Sequence, residues 1–203
     1  MTCKAGTKLV YGVGFNSGKY PAYTAKKHTK EYKLWNGMLE RCYSPIYYSR
    51  HTYENCSVSE TFKHYSNFYE WCQTQIGFGN RDSNGKSWCL DKDFLVKGNR
   101  LYSEDTCLFL PHKINCLISS VKSARGLSLI GTHLVKKSGR YESYANLDGV
   151  RTSLGYYDTS LEAFSVYKAA KEAYIKQVAE QYKDVIDPRA YKALLEYEVN
   201  IDD

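Results

Sequence analysis

A charged loop lies between two short apolar runs in the middle of the chain. The runs are residues 88–90 and 107–110, and the loop opens with Asp91, Lys92 and Asp93. Several nucleases hold a metal ion over a phosphate with acidic and basic groups in the loop of a compact strand–strand–helix unit. The pattern raises that chemistry as a hypothesis. Taken alone, two aspartates around a lysine are more typical of a solvated turn with weak ion pairs.

Two strands and two upstream helices are expected to position this loop. The apolar runs predict the strands, and Pro111 opens a new element after the second one. Residues 29–43 predict a helix because Thr29 can cap it and Trp35 and Leu39 fall on one apolar face. A further helix is predicted to begin at Ser59 or Thr61. These helices supply the packing for the loop.

A second module is expected after a polar hinge at residues 119–128. Three strands are predicted at about 129–136, 140–147 and 150–156, with turns at 138–139 and 148–149. Asp158 or Thr159 caps a helix that has Glu162 in its first turn and runs to about residue 182. A last amphipathic helix at 189–199 and a frayed acidic tail follow.

The sequence thus predicts an α+β protein with three regions: residues 1–122, 129–182 and a helical tail at 183–203. Alternation gives the predicted sheet two faces. The face toward the helix carries Thr132, Leu134, Ser143, Ala145, Thr152 and Leu154. The opposite face carries His133, Val135, Lys137, Tyr144, Asn146, Arg151 and Ser153. A slim antiparallel sheet can enter a DNA major groove, where arginine reads guanine and asparagine reads adenine. The alternative is an ordinary polar outer face.

Composition favours a polyanionic partner and argues against a membrane protein. The 203 residues carry a net charge of +6 and include 20 tyrosines, which suit a wet interface. The first six residues lack the apolar core of a secretory signal, and no run approaches the roughly 18 apolar residues of a membrane helix. We expect a cytoplasmic protein. Of its seven cysteines, Cys107 and Cys116 could join His112 around zinc, but their spacing fits no common ligand pattern.

Several motifs stand in a fixed order between about residues 26 and 121. They are WNGMLERCY at 35–43, YENCSV at 53–58, FYEW at 68–71, LDKD at 90–93 and GNRLYS at 98–103, followed by Cys107 and Asn115. In this order they resemble the HNH-type proteins of tailed phages, many of which are homing endonucleases. The resemblance implies an HNH-like unit with a strand–strand–helix core. It also implies a phage origin, and hence the host cell cytoplasm as the location.

HNH chemistry needs a histidine that takes a proton from water and a metal ion that neutralises the scissile phosphate. By the resemblance, the position of that histidine falls on Lys92, which is charged and a poor base near neutral pH. The central asparagine of the family falls near Thr106, and the last position falls on Asn115. We therefore expect a degraded site that survives as a scaffold or a DNA-contacting platform.

An active site remains the alternative implied by the same resemblance. Asp91, Asp93 and Asn115 would then hold Mg²⁺ or Mn²⁺, and His112 would replace the missing base. Whether the chain is an enzyme is left open by the sequence.

A second set of motifs lies in the C-terminal module. It comprises Gly131, GRY at 139–141, Gly149, LGYYDT at 154–159, Glu162-Ala163 and Tyr167. This set resembles the Apetala-two/ERF DNA-binding domain, in which a three-stranded sheet lies in the major groove with a helix behind it. Phage HNH proteins often carry a similar module as a targeting arm. The matching positions assign base contacts to His133, Tyr144, Asn146, Arg151 and Ser153, and we predict phosphate contacts at Lys136, Lys137 and Arg140.

Three functions follow as hypotheses. The first is a phage protein that binds double-stranded DNA through the sheet and has lost nuclease activity. The second is an active metal-dependent HNH-type endonuclease. The third is an early phage protein that binds and inhibits a host protein.

Overall fold

The computed structural model describes residues 8–48, 53–118 and 128–203. The chain is α+β, as predicted, and divides into two compact units, residues 1–112 and 113–203. The predicted hinge at 119–128 lies almost entirely outside the described residues. None of the described helices is both long enough and apolar enough to cross a bilayer.

The first unit consists of short helices and strands around an aromatic core. Its helices are α1 (Lys30–Tyr43), α2 (Pro45–Tyr48), α3 (Glu60–Lys63) and α4 (Tyr65–Thr74). Its strands are β1 (Tyr23–Thr24), β2 (Lys27–His28), β3 (Ser57–Val58), β4 (Cys89–Asp91), β5 (Leu101–Tyr102) and β6 (Leu108–Leu110). Helix α5 (His112–Leu117) begins at the boundary between the units.

Helix α1 begins where the sequence predicts. The Thr29 side chain accepts a hydrogen bond from the backbone N–H of Tyr32 and so caps the helix. Trp35 on the apolar face is completely buried, and its indole N–H donates to the Phe62 carbonyl at 2.7 Å. This bond satisfies the one polar atom of the largest core side chain.

The helix predicted from Ser59 or Thr61 is broken into two. Ser59 caps α3, but His64 adopts an extended conformation before α4 starts. The cause is Phe15, whose backbone N–H donates to Lys63 O and whose carbonyl accepts from Tyr65 N. A pairing with a segment almost 50 residues upstream overrides the local helical pattern.

Strands β4 and β6 pair antiparallel, with Asp91 opposite Leu108. The chain between them does not form a simple loop, because β5 pairs in parallel with β3. The segment between β4 and β6 is therefore held at both ends by the pairing of these two strands, and in its middle by the pairing of β5 with β3. This attachment fixes the backbone around the predicted metal-binding residues.

The second unit has a three-stranded antiparallel sheet, in the order β7–β8–β9, and two helices. The strands are β7 (Thr132–Val135), β8 (Arg140–Leu147) and β9 (Val150–Tyr157); the helices are α6 (Ser160–Tyr182) and α7 (Pro188–Leu195). The three strands and two helices are those predicted, although β7 begins at Thr132 rather than at about residue 129 and α7 ends at Leu195 rather than at residue 199. Thr159 and Glu162 form a reciprocal capping box at the start of α6.

Packing in this unit joins the sheet, α6 and the C-terminal segment. Ala145, Phe164, Tyr167 and Val199 form its buried cluster. Val199 is buried, its N–H donates to Glu172, and its carbonyl accepts from Lys168. The acidic tail at 201–203, predicted to fray, is held at its last residue: Asp203 is buried, and its carboxylate accepts the Asn200 N–H at 2.9 Å. Apolar packing of Tyr197 and Val199, together with these hydrogen bonds, holds the segment.

The two sheet faces largely follow the predicted alternation. Thr132, Ser143 and Ala145 are buried, and Leu134 shares their face in the strand register but is 39% exposed. Leu134 lies on the edge strand β7, where the helix does not cover it. The pairing of β8 with β9 shifts by one residue between Ser143 and Tyr144, so that Tyr156 pairs with Glu142 on the outer face. Strict alternation along β9 would have placed Tyr156 on the opposite face.

Candidate nucleic-acid interface and metal-binding loop

Three rows of paired residues make up the outer face of the β7–β8–β9 sheet. Residues paired across antiparallel strands share a face. The rows are His133–Glu142–Tyr156, Tyr144–Ser153 and Asn146–Arg151. The structure thus brings together all five residues that the sequence predicts as base contacts. Four of them are exposed and Tyr144 is half-buried.

Arg151 is held in a defined position on this face. Its Nη2 donates to a Glu142 carboxylate oxygen at 2.9 Å, and its guanidinium carbon lies 4.1 Å from the centre of the Tyr144 ring. The Arg151 side chain is 54% exposed, whereas that of Glu142 is only 10% exposed. The buried Glu142 carboxylate and the Tyr144 ring therefore hold the Arg151 guanidinium in place from the protein side, while its other side faces solvent. Asn146 stands directly opposite Arg151 in the strand register.

Sequence reasoning missed Glu142. Its position on the outer face follows from alternation, but an acidic residue is a poor expectation for a DNA-facing surface. Its role becomes visible only when the distance to Arg151 is known. The separation of nine residues between the two is bridged by the hairpin at 148–149.

The basic residues predicted to contact phosphate differ in their surroundings. Lys136 and Lys137 are exposed in the β7–β8 turn and form no ion pair with any residue that the structure describes. Arg140 donates from Nε to Asp158 at 3.0 Å and from Nη2 to the Tyr156 carbonyl at 2.7 Å. A phosphate at Arg140 would have to compete with Asp158, so the two lysines are the freer contacts.

In the first unit, the Asp91 carboxylate organises the turn that follows β4. One of its oxygens accepts the backbone N–H groups of Asp93 (2.9 Å) and Phe94 (2.7 Å). Lys92 is buried, and its ammonium nitrogen lies 3.2 Å from Asp93 Oδ2. The turn therefore contains the kind of ion pair that is typical of a solvated turn. The lysine of this pair, however, is buried.

The two carboxylates of the turn interact unfavourably. Burial, and then the negative charge of Asp93, raise the pKa of Asp91. A divalent cation would relieve this repulsion, so the pair fits part of a metal site. Within residues 8–48, 53–118 and 128–203, however, no three His, Cys, Asp or Glu side chains come together as a possible metal site. The turn itself supplies two carboxylates and a competing ammonium group.

We expect Asp91→Asn to stabilise the chain at neutral pH. Asparagine keeps the oxygen that accepts the two N–H groups but removes the buried charge. Because the folded-state pKa of Asp91 is raised, the wild-type chain gives up stability as pH rises above the ordinary value of 3.8. The difference in free energy of unfolding between the variant and wild type should be small near pH 3 and grow toward pH 7, as measured by urea titrations. A difference that shrinks with rising pH would contradict the environment given to Asp91.

Asn99 and Thr106 close the remainder of the loop. The Asn99 amide donates to the carbonyls of Lys92 (2.6 Å) and Leu101 (2.7 Å), and its oxygen accepts the Leu101 N–H. Thr106, at the position matched to the family's central asparagine, donates from its hydroxyl to Leu101 O at 2.8 Å. Sequence reasoning gave Asn99 no role in the site, although the residue lies in the GNRLYS motif.

Replacing Asn99 with alanine should destabilise the first unit by about 1–3 kcal/mol, because the variant cannot form the three hydrogen bonds across the loop and leaves the Lys92 carbonyl without its partner. Thermal unfolding monitored by Trp fluorescence would measure the change. Asn84→Ala is the matched control, since the hydrogen bond of Asn84 to Asp82 comes from its backbone. If Asn99→Ala and Asn84→Ala lowered the stability equally, the hydrogen bonds of Asn99 across the loop would not contribute to it.

The other predicted site residues have less support. His112 is exposed at the start of α5, and Asn115 is half-buried on the same helix. The zinc alternative is not supported: Cys107 is completely buried, burial raises the pKa of its thiol to about 12, and Cys116 is exposed. The described residues contain no three-ligand cluster that would offset the cost of forming a buried thiolate.

Comparisons with known proteins add no family assignment. No family model, curated protein or solved structure matches the chain. The function must therefore be argued from the two units themselves.

Proposed function

We propose that this chain is a phage protein that binds double-stranded DNA and is related to HNH homing endonucleases, with a nuclease site that has degraded. In this proposal the outer face of β7–β8–β9 enters the major groove, as in the Apetala-two/ERF domain that the sequence resembles. The observation that carries the proposal is the Arg151 guanidinium held over the Tyr144 ring by Glu142.

The arrangement suits base recognition for a physical reason. An arginine that reads guanine must present two parallel N–H groups to O6 and N7, and a flexible side chain loses entropy when it does so. Glu142 and Tyr144 restrict Arg151 before DNA arrives. Asn146, the opposite residue in the register, has the amide that pairs with adenine. An arginine next to an asparagine therefore favours a short DNA site that contains both a guanine and an adenine.

Backbone contacts would come from the β7–β8 turn. Lys136 and Lys137 have no protein partner among the described residues, so their charges are available to phosphates. Tyrosines such as half-exposed Tyr156 add hydrogen-bond donors on the same face. Such contacts fix the register of a protein on DNA but carry no sequence information.

Salt dependence tests this proposal. Fluorescence anisotropy of a labelled duplex should give an association constant that falls linearly on a log–log plot against salt, with a slope of about 0.9 per neutralised phosphate. Changing both Lys136 and Lys137 to alanine should lower that slope by about 2 if each meets a phosphate. Lys183→Ala together with Lys192→Ala on the C-terminal helical region is the charge-matched control. An association constant that does not change with salt would overturn the backbone-contact part of the proposal.

The second candidate function is an active metal-dependent endonuclease. The observation in its favour is the Asp91–Asp93 pair, whose mutual repulsion a divalent cation would relieve. In that case Asp91 and Asp93 would hold Mg²⁺ or Mn²⁺ with Asn115, the metal would supply charge neutralisation at the phosphate, and His112 would accept the proton. Lys92 argues for the degraded site, because its ammonium already neutralises Asp93.

Cleavage assays on the variants separate this alternative from the first proposal. An active enzyme would nick or cut a duplex only with divalent metal, and Asp91→Ala, Asp93→Ala or His112→Ala would each abolish the cleavage. Asp105→Ala, an exposed aspartate in the same loop, should leave it intact. Metal-dependent cleavage that survives all three substitutions would indicate a contaminating nuclease.

A further inference from the structure

Arg41, on α1, is a cation without an acidic partner among the described residues. Its Nε donates to the hydroxyl of Tyr102 at 3.1 Å, and its guanidinium carbon lies 5.7 Å from the Tyr53 ring centre and 5.6 Å from that of Tyr102. No Asp or Glu of the described residues forms an ion pair with it. A cation that is partly removed from water without a counter-charge is costly, and a bound anion would offset that cost.

Arg41 is one of the residues that line a cavity of about 130 Å³. That volume is well above the roughly 10–15 Å³ that a cavity needs to hold one water molecule, so the cavity has room for a five-atom oxyanion. Tyr47, Tyr53 and Asn55 are among the lining residues. The Asn55 side chain makes no hydrogen bond to any described residue. Arginine, tyrosine and asparagine are side chains that donate to phosphate oxygens.

Of the two cations beside Tyr102, Arg41 is the one without an acidic partner among the described residues. The Lys92 ammonium lies 5.7 Å from the centre of the Tyr102 ring, so buried Tyr102 has contacts with two cations, Arg41 and Lys92. Asp93 neutralises Lys92. Among the residues that the structure describes, Arg41 has only neutral hydroxyl and ring partners, so its positive charge at the cavity is uncompensated by them.

We propose that the cavity beside Arg41 is an oxyanion site that binds one phosphate group through the Arg41 guanidinium and the Asn55 amide. The phosphate can come from solution or from a nucleic-acid strand, because both present the same oxygens. The site belongs to the first unit and does not depend on DNA binding by the sheet of the second unit.

The test is calorimetric titration of inorganic phosphate into the full chain, with ionic strength held constant by sodium chloride. Wild type should bind one phosphate per chain in a saturable manner, and Arg41→Gln should lose that binding. Asn55→Gly should bind about tenfold more weakly, since it lacks one hydrogen bond to a charged group. Asn55 has φ +59°, which glycine adopts without strain, so this variant tests the site even if Arg41→Gln fails to fold.

Arg81→Gln provides the control, because Arg81 is an exposed arginine that donates to the Gly85 carbonyl and should leave phosphate binding unchanged. Absence of saturable binding by wild type, or equal binding by Arg41→Gln, Asn55→Gly and wild type, would overturn the proposal.

A labelled duplex distinguishes the sources of the phosphate. If a nucleic-acid strand supplies the phosphate, saturating inorganic phosphate should weaken duplex binding by the wild-type chain. Asn55→Gly, which leaves the residues of the sheet unchanged, should weaken it too. If free phosphate is the ligand, duplex affinity should stay unchanged while phosphate binding still responds to Asn55→Gly. Both results support the oxyanion site, and loss of duplex binding in Arg151→Ala alone leaves it untouched.

Discussion

Arg151→Ala should reduce the affinity for a preferred DNA duplex roughly 10- to 100-fold, which corresponds to the removal of one bidentate arginine–base contact. The same substitution should relax the preference between sequences, because it removes the guanidinium that is proposed to read a base. The affinity for non-specific duplex should fall far less, because only the contribution of one positive charge to phosphate neutralisation is lost. Selection of preferred duplexes from a random pool, followed by anisotropy titrations, measures both quantities.

Glu142→Gln separates the positioning of Arg151 from its charge. Glutamine keeps the size of the side chain but weakens the bond that fixes the guanidinium. We expect discrimination between sequences to decrease while non-specific affinity rises, because a negative charge has left the face. If both affinities fell together, Glu142 would be a structural residue without a role in recognition. Circular dichroism on each variant checks that the sheet remains folded, since Arg151→Ala leaves the largely buried Glu142 carboxylate without its partner.

Gly131→Ala should destabilise the second unit by about 2–4 kcal/mol. Gly131 has φ +71°, a left-handed conformation that costs an alanine about 1 kcal/mol. A Cβ there would also lie 2.0 Å from the Tyr167 ring, so α6 would have to move away from the sheet. Overpacking of this kind adds roughly 1–3 kcal/mol. Urea unfolding followed by circular dichroism at a helical wavelength measures the loss of stability.

Gly139→Ala separates the two contributions. Gly139 has the same φ of +71°, but a Cβ there meets nothing within 4 Å. Only the cost of the left-handed backbone conformation should reduce the stability of this variant, by about 1 kcal/mol. Equal effects at the two positions would mean that Tyr167 does not limit the distance between α6 and the sheet.

Local patterns predicted most of the second unit. Asp148-Gly149 marked the β8–β9 turn, and Thr159 with Glu162 marked the start of α6, because turns and caps depend on residues that are neighbours in sequence. The register shift next to Tyr144 was not predictable, since it depends on how two strands pair. It is this shift that pairs Tyr156 with Glu142 on the outer face.

Long-range contacts set the limit in the first unit. The break at His64 follows from pairing with Phe15, and the burial of Lys92 follows from packing near Tyr102, neither of which leaves a local signal. The candidate site shows the same contrast. Alternation along the strands predicted which residues share the outer face of the sheet, whereas the position of Glu142 beside Arg151 and the hydrogen bonds of Asn99 across the loop were recognisable only from distances.

DNA binding without cleavage is tested most directly by incubating the pure protein with supercoiled plasmid, with and without Mg²⁺ or Mn²⁺, followed by gel electrophoresis. We expect retarded plasmid that returns to its supercoiled position after the protein is digested, with and without metal. Plasmid that migrates as free DNA at every protein concentration would contradict DNA binding. Relaxed or linear plasmid that requires metal and Asp91 would contradict the degraded site and establish the endonuclease instead.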